Sequence, residues 1–248
     1  AATLAVSGVT FSENTSTVTS GVILVGSNNG NGSVTKGPAV SFDSCEFNDN
    51  EAGTHGGVGY IRSGHTKFNN CIFNGNKGTT GGAIYCGTAA VEANACTFTG
   101  NTATTNNVIY SSSVDFGFLG MNNCTVFSSA GSGMNDIYSK SSAVITNSTL
   151  FSTGAGVVLF RGEANDRATL CNNILQAAGT VTSGTVSAGN NIFAGADSSD
   201  GDENAALSLE KNTDVATGRL YYSWDGVTSL ALLDAEAEEA IISGCVSS

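Results

Sequence analysis

One four-residue pattern, Phe-x-x-Asn, recurs through the first part of the chain. It stands as "FSEN" from Phe11, "FNDN" from Phe47, "FNGN" from Phe73 and "FTGN" from Phe98, and the last three copies lie about 25 residues apart. A constant period of roughly 20 to 50 residues is typical of a repeat architecture, in which each unit buries its apolar face against the next. The sequence therefore predicts a solenoid with one coil for each repeat.

Three other rows of residues keep step with the phenylalanines. The asparagines are Asn50, Asn76 and Asn101; the cysteines are Cys45, Cys71, Cys96 and Cys124, continued by Asn147 and Asn172; the tyrosines are Tyr60, Tyr85, Tyr110 and Tyr138, continued by Phe160. The apolar segments have roughly 3 to 5 residues, which suits strands, whereas helices need about 10 to 12. Strands stacked about 4.8 Å apart in a parallel β-helix bring like residues together. We predict an all-β chain, with a right-handed parallel β-helix over residues 1–205.

These rows predict structure rather than chemistry. Phe47, Phe73 and Phe98 are expected in the core, and the asparagines at a bend, where stacked side-chain amides hydrogen-bond along the axis. Cysteines on adjacent coils would have Cβ atoms about 4.8 Å apart, beyond the roughly 3.5–4.5 Å of a disulfide, and no C-x-x-C pair offers a zinc site. We interpret the cysteine row as buried thiols that pack as small hydrophobes. Cys171 and Cys245 lie outside this row, and a disulfide between them would tie the C-terminal segment to the coils.

The composition limits the classes of partner. Charged residues make up 12% of the chain, there are 32 glycines, and the formal net charge is −12. Nucleic-acid binding depends on a basic surface that neutralises phosphates, so no nucleic-acid partner is expected. No apolar run approaches the roughly 18 to 20 residues that span a bilayer as a helix, so no transmembrane segment is expected. The first residues also contain no signal-peptide pattern.

Two groups of polar residues are candidates for chemistry. The acidic group is Asp197, Asp200, Asp202 and Glu203. These carboxylates are close enough in sequence to ligate calcium, although their spacing is not that of an EF-hand loop and such clusters are common in solvated turns; no other cofactor is expected. The second group is His55, Arg62 and His65, which a polysaccharide lyase would use to abstract a proton. Solvated turn residues are the simpler interpretation.

The repeat fades after about Ala196. From Ser229 to Cys245 the chain has apolar residues at helical spacing, with acidic residues between them. The open end of a solenoid exposes backbone and core, so its terminal unit usually covers it. We predict that residues 206–248 form a cap, in which a short amphipathic helix accompanies Trp224.

The Phe-x-x-Asn pattern also occurs here with a second motif, Gly-Gly-Ala-Ile. The pair stands as "FNGN" with "GGAI" at Phe73 and Gly81, and as "FNDN" with "GGVG" at Phe47 and Gly56. This combination resembles the polymorphic outer membrane protein repeats of chlamydial autotransporters. The resemblance implies a right-handed parallel β-helix at the cell surface, used for adhesion or as a scaffold.

The residues and the resemblance together predict a non-enzymatic extracellular or cell-surface protein. Its expected partner is a host or cell-wall glycan, or a surface protein, bound along the Asn, Thr and Tyr edges of the coils. Two alternatives stay open. One is self-assembly through the N-terminal strand at residues 1–10, which would make the chain a filament subunit. The other is a polysaccharide lyase or hydrolase, which would need stacked acidic or basic residues on neighbouring coils.

Overall fold

Parallel strands account for the architecture of the coils. The structure, a computed structural model, describes residues 2–26, 37–113, 117–128, 134–154, 156–163, 168–184, 186–189, 191–194, 210–213 and 220–223. Within these ranges every regular element is a strand, and the strands of successive coils pair in parallel. The predicted parallel β-helix is confirmed. Each coil contributes strands to three faces of the helix, and the first four coils also form a short fourth face.

The phenylalanine face contains one strand from each coil. Its described strands are Thr10–Ser12, Glu46–Asn48, Ile72–Asn74, Thr97–Thr99, Thr125–Ser128, Thr149–Ser152, Ile174–Ala177 and Ile192–Ala194. Their register places Phe11, Phe47, Phe73 and Phe98 in one column. One period of the Phe-x-x-Asn pattern is therefore one turn of the helix.

A short face follows in the first four coils. Its strands are Thr15–Ser16, Glu51–Ala52, Lys77–Gly78 and Thr102–Ala103. The chain enters this face through one residue with positive φ in each coil: Glu13 (56°), Asp49 (54°), Gly75 (67°) and Gly100 (64°). This left-handed conformation is rare for side-chain-bearing residues and easy for glycine. A single residue therefore turns each corner, and the asparagine of Phe-x-x-Asn comes directly after it.

The tyrosine face and the closing face complete each coil. The strands of the tyrosine face are Ile23–Val25, Asn106–Ser111, Asn135–Ser139, Val158–Gly162 and Thr180–Ser183. Those of the closing face are Thr3–Ser7, Ala39–Asp43, Phe118–Asn122, Ser142–Thr146, Ala168–Cys171 and Val186–Gly189. Two long strands, Gly59–Asn69 and Ile84–Asn94, run through both faces. A second column of left-handed corners then leads back to the phenylalanine face: Ser44, Asn70, Ala95, Asn123, Asn147 and Asn172.

The phenylalanine column forms the centre of the core. The ring centroids of Phe47 and Phe73 are 4.9 Å apart, and those of Phe73 and Phe98 are 4.5 Å apart, with nearly parallel planes. Phe42 and Phe68 reach in from the closing face and meet this column edge-on. All five rings are fully buried. Because burial of one such side chain is worth about 1.5–3 kcal/mol, the column is a major source of stability.

The asparagine row is a buried ladder of hydrogen bonds. The side-chain Nδ2 of Asn50 donates to Oδ1 of Asn76 at 2.9 Å, and Asn76 donates to Asn101 at the same distance. Each Oδ1 also accepts the backbone N–H of the asparagine one coil earlier. The Nδ2 groups of Asn50 and Asn76 donate a second time, to the carbonyl oxygens of Phe11 and Phe47, and Asn101 makes the same type of bond to Phe73. The amides therefore bind backbone N–H groups at the corner and carbonyl oxygens of the preceding strand of the phenylalanine face.

The cysteine row lies at the other corner, just before each strand of the phenylalanine face. Cys45, Cys71, Cys96 and Cys124 are free and buried. The thiols donate to backbone carbonyls of the preceding coil, as from Cys96 Sγ to Phe68 O at 3.3 Å. A hydrogen bond with the Cys124 thiol and then burial raise the pKa of Cys96 to about 12. The Cys96 thiol therefore stays protonated at neutral pH, and the thiols of the row pack as hydrogen-bond donors in the core.

The continuation of the cysteine row differs by one residue from the sequence prediction. The strand register places Ser148 and Asn173 in the cysteine column, and Asn191 after them. Asn147 and Asn172 are instead the left-handed corner residues just before it. The Nδ2 of Asn173 donates to Ile145 O at 2.9 Å, the type of bond that the thiols make in earlier coils. Cys171 lies outside the row, as predicted, and is disulfide-bonded.

The predicted cap falls largely outside the described residues. The domain boundary at residue 205 and the helix from Ser229 to Cys245 are both in undescribed ranges. The described part of this region is an antiparallel pair of strands, Glu210–Thr213 with Leu220–Ser223. Residues 206–248 as a cap therefore stay a prediction.

Candidate functional site

The tyrosine row is the predicted row whose side chains are not in the core. Strand pairing places Tyr60, Tyr85, Tyr110 and Tyr138 in one column of the tyrosine face. Each tyrosine is half-buried, whereas its neighbours in the strand are buried. Ile84 and Cys86 flank Tyr85, and Ile109 and Ser111 flank Tyr110. Because successive side chains of a strand point to opposite sides, the tyrosines point outward.

The sequence prediction was wrong about the next member of this row. Phe160 pairs with Ile137 and is fully buried, whereas Arg161 pairs with Tyr138. A slip of one residue along a strand moves a side chain to the other side of the sheet. The outward column therefore ends in a guanidinium group, not in a fifth aromatic ring.

Aromatic contacts connect the column from coil to coil. The ring centroids of Tyr60 and Tyr85 are 4.9 Å apart, and those of Tyr85 and Tyr110, and of Tyr110 and Tyr138, are each 5.3 Å apart. His55 extends the column, because its ring stacks on Tyr60 at 4.3 Å with an interplanar angle of 2°. We call these five residues the aromatic strip. Burial is the main cause that raises the pKa values of Tyr85 and Tyr110, so their hydroxyls stay neutral at physiological pH.

Three cations lie over rings of the aromatic strip. The guanidinium carbon of Arg62 is 4.9 Å from the centre of Tyr60, and that of Arg161 is 4.9 Å from the centre of Tyr138. Lys140 Nζ lies 5.7 Å from the same Tyr138 ring. Burial and the nearby charge of Arg62 lower the pKa of His55, so this histidine is neutral at pH 7. In a chain with a net charge of −12, the strip is a local concentration of positive charge.

A cleft opens beside the late end of the strip. It has a volume of about 280 Å³ and is lined by Thr80, Thr105, Asn106, Tyr110, Met134, Asn135, Tyr138 and Arg161. Tyr110, Tyr138 and Arg161 belong to the outward column, and the other residues come from the first positions of the strands of this face or from the turns before them. The cleft therefore combines an aromatic wall, a polar wall and one cation.

The two histidines of the sequence lie on different faces. His65 is on the closing face, where its Nε2 is 2.7 Å from Glu92 Oε1, and Lys67 Nζ is 3.1 Å from Glu92 Oε2. Burial opposes ionisation of Glu92, but its bonds to Lys67 and His65 outweigh burial and lower its pKa. This group is a surface ion network. The structure thus brings His55 and Arg62 together at Tyr60 and leaves His65 out of any joint site with them.

The other predicted candidates give no site in the described residues. The acidic group Asp197, Asp200, Asp202 and Glu203 lies entirely outside them, so calcium binding there stays a prediction. Among the described residues, no group of three or more His, Cys, Asp or Glu side chains is arranged to hold a metal ion. The same part of the chain includes no helix long and apolar enough to cross a membrane.

Comparison with known proteins identifies the repeat. Residues 70–87 match the family model of the Chlamydia polymorphic membrane protein repeat. The match confirms the predicted resemblance and includes the turn at Gly82, where a Cβ atom would lie 2.2 Å from the carbonyl oxygen of Asn107. No curated protein and no solved structure matches the chain. A polymorphic membrane protein repeat in a β-solenoid fits a protein exposed at the cell surface.

The positions of two of the three cations could have been predicted from the sequence. Arg62 and Lys140 each stand two residues after a tyrosine of the row. Residues two apart in a strand point to the same side, so both cations had to lie beside the strip once the tyrosines were known to point outward. The positions of Asn135 and Met134 at the cleft could not be predicted in this way, because the segment before each tyrosine differs in sequence from coil to coil.

Proposed function

We propose that the protein is a non-enzymatic cell-surface β-helix that adheres to glycans through the aromatic strip. The observation that carries this proposal is the outward column of four tyrosines on adjacent coils. Three steps of about 4.8 Å give it a length of roughly 14 Å, which is enough for two to three sugar rings. Tyrosine offers a large, rigid ring for the apolar face of a sugar and a hydroxyl for its polar edge.

The chemistry of the strip supports a binding role over a purely structural one. Inside the helix, aromatic stacking uses phenylalanine, as in the column of Phe47, Phe73 and Phe98. On the outside the column uses tyrosine and is accompanied by arginine, and these are two of the residue types that dominate binding hot spots. A scaffold needs neither the phenol groups nor the cations on this face.

The test compares two pairs of aromatic residues on different faces. Tyr85→Ala with Tyr110→Ala removes the middle of the strip, and Phe127→Ala with Phe151→Ala removes a stacked pair of half-buried rings from the phenylalanine face. Binding to a glycan array and to host cells is measured for both variants, after circular dichroism has shown that each is folded. We expect a loss of at least tenfold for the tyrosine pair and less than twofold for the phenylalanine pair. Equal losses, or no loss from the tyrosine pair, would overturn the proposal.

The two alternatives from the sequence are tested with the same preparation. Size-exclusion chromatography and negative-stain electron microscopy are expected to show single short rods, whereas regular filaments would make self-assembly the function. Incubation with each bound polysaccharide is expected to release no shorter products. Release of fragments would replace adhesion by a lyase or hydrolase activity.

A further inference from the structure

The cleft beside Tyr110 and Tyr138 differs from the rest of the strip, because it has depth and a defined charge. Resting on the glycan adhesion proposed above, we infer that this cleft binds a carboxylated sugar unit, with its carboxylate on Arg161. The remaining sugar units of the same glycan extend along the strip toward Tyr85. The cleft is thus the subsite that selects an acidic glycan over a neutral one.

The size of the cleft fits a single sugar ring. Pockets for small molecules have volumes of roughly 300–1,000 Å³, and this cleft, at about 280 Å³, is at the lower limit. It opens onto the outward column at Tyr110 and Tyr138, so a ring inside it can remain linked to units that lie on the next tyrosine. Met134, with 63% of its surface exposed, lies at the rim and offers an apolar contact.

The charge of the cleft comes from Arg161. Among the residues that line it, Arg161 alone is ionised. Its guanidinium group is held over the Tyr138 ring, which leaves the in-plane N–H groups free to form the paired bonds that carboxylates accept. Lys140 adds a second positive charge over the same ring. Glu163, the nearby carboxylate, accepts a hydrogen bond from the Tyr138 hydroxyl, which fixes that ring rather than occupying the cleft.

The polar wall provides hydrogen-bonding groups for hydroxyls. Asn135 Nδ2 donates to Asn106 Oδ1 at 2.9 Å, and Thr105 Oγ1 donates to Thr80 Oγ1 at 3.1 Å. Asn135 is 3% exposed, and its Oδ1 is a buried acceptor with no hydrogen-bond partner in the described structure. Buried acceptors of this kind are rarely left unpaired. This oxygen lies behind the surface of the cleft, so the groups of the wall that a sugar hydroxyl can reach are the half-buried hydroxyls of Thr80 and Thr105.

The experiment uses pairs of glycans that differ in the carboxylate alone. Each carboxylated glycan is printed on an array beside its carboxyl-reduced form, together with sulfated neutral glycans, and hits are measured by biolayer interferometry. The full chain is compared with Arg161→Gln and with Lys77→Gln, which removes a positive charge from the short face, where Lys77 pairs with Glu51. We expect the full chain and Lys77→Gln to prefer the acidic member of a pair at least tenfold. We expect this ratio to fall to about one in Arg161→Gln, while binding of the reduced forms is retained.

Each outcome separates this inference from the function on which it rests. Tyrosine-dependent binding without preference for the carboxylate, or a preference that survives Arg161→Gln, overturns the acidic subsite and leaves adhesion intact. Binding to sulfated glycans alone, unaffected by carboxyl reduction, also overturns it. Binding to no glycan on the array overturns both proposals.

Discussion

The early coils, residues 2–113, and the late coils, residues 117–194, place their buried amides at different corners of the phenylalanine face. In the early coils the ladder follows the strand, at Asn14, Asn50, Asn76 and Asn101. In the late coils it precedes the strand, at Asn173 and Asn191, in the column that the cysteines occupy earlier. The difference shows that a ladder of side-chain amides can form at either corner of this face. Smaller side chains, such as the cysteines and Ser148, occupy the positions without an amide.

The largest effect is expected from Asn76→Ala in the early ladder. This change leaves the N–H and Nδ2 groups of Asn50 without their acceptor and removes one donor from the carbonyl of Phe47. Unsatisfied buried groups cost about 1–3 kcal/mol each, so we expect a loss of about 3–5 kcal/mol in the free energy of unfolding. Urea denaturation measures it, with the exposed Asn74→Ala, two residues earlier in the same coil, as the control. A loss below about 1 kcal/mol would contradict the role given to the ladder.

A somewhat smaller effect is expected from Asn173→Ala in the late ladder. Asn173 Oδ1 accepts the backbone N–H of Ser148, and its Nδ2 donates to Ile145 O and to Asn191 Oδ1. One acceptor bond fewer than at Asn76 predicts a loss of about 2–3 kcal/mol in the same denaturation experiment. A loss larger than that of Asn76→Ala would show that the late ladder contributes more to the free energy of unfolding than the early one.

Asp136 tests the junction between the early and the late coils. It is fully buried, its Oδ1 accepts from Asn107 and Ser128, and its Oδ2 has no partner in the described structure. Burial raises its pKa, and the hydrogen bonds only partly oppose this. The stability that the protonated form contributes is therefore complete below the unfolded value of about 3.9 and is lost as the pH rises through the higher folded value.

Asp136→Asn removes this dependence on pH. We expect the variant to be more stable than the natural chain at pH 7, by about 1 kcal/mol, since it buries no charge. The advantage should shrink as the pH falls through the folded pKa and be smallest below about 3.9, where the aspartate is protonated in both states. Thermal unfolding of the two chains across this range measures it. An advantage that does not change with pH would mean that the pKa of Asp136 is the same in the folded and the unfolded protein, which contradicts the raised pKa.

The smallest effect is expected from Cys124→Ser. Cys124 lies directly before Ser148 in the same column, and its thiol donates to Ala93 O. Since a serine hydroxyl can donate to the same carbonyl, we expect a change of less than about 1 kcal/mol in the free energy of unfolding. Thermal unfolding measures it. A loss as large as that of Asn173→Ala would show that the thiol corner is as demanding as the amide corner.

The repeat made the fold and most of the rows predictable, because each row is the same residue type at the same step. The core positions of Phe73 and Asn76 follow directly from that regularity. Spacing alone failed at Phe160 and at Asn147, since late coils differ in length by one or more residues. A one-residue difference decides whether a side chain faces the core or the solvent, and the period does not contain that information.

The candidate site was less predictable than the fold because its parts do not repeat. The tyrosines were visible as a row, but their outward direction depends on which neighbours are buried. Arg161 and Asn135 reach the cleft from strands and turns that differ in sequence from the equivalent parts of earlier coils. The periodic pattern therefore predicts the coils and the tyrosine row, but not the residues of the cleft that occur in one coil only.

The hydrogen bonds between side chains of the buried asparagine ladder all have the same direction along the helix axis. In the bonds between side chains, each amide donates to the later coil, from Asn50 to Asn76 and from Asn76 to Asn101. On the surface, the line of Asp43, Asn69 and Asn94 donates toward the earlier coil. Aspartate, which can only accept when ionised, sets that sense at its first member. The two lines of amides therefore run in opposite directions along the helix axis, and each further coil would lengthen both.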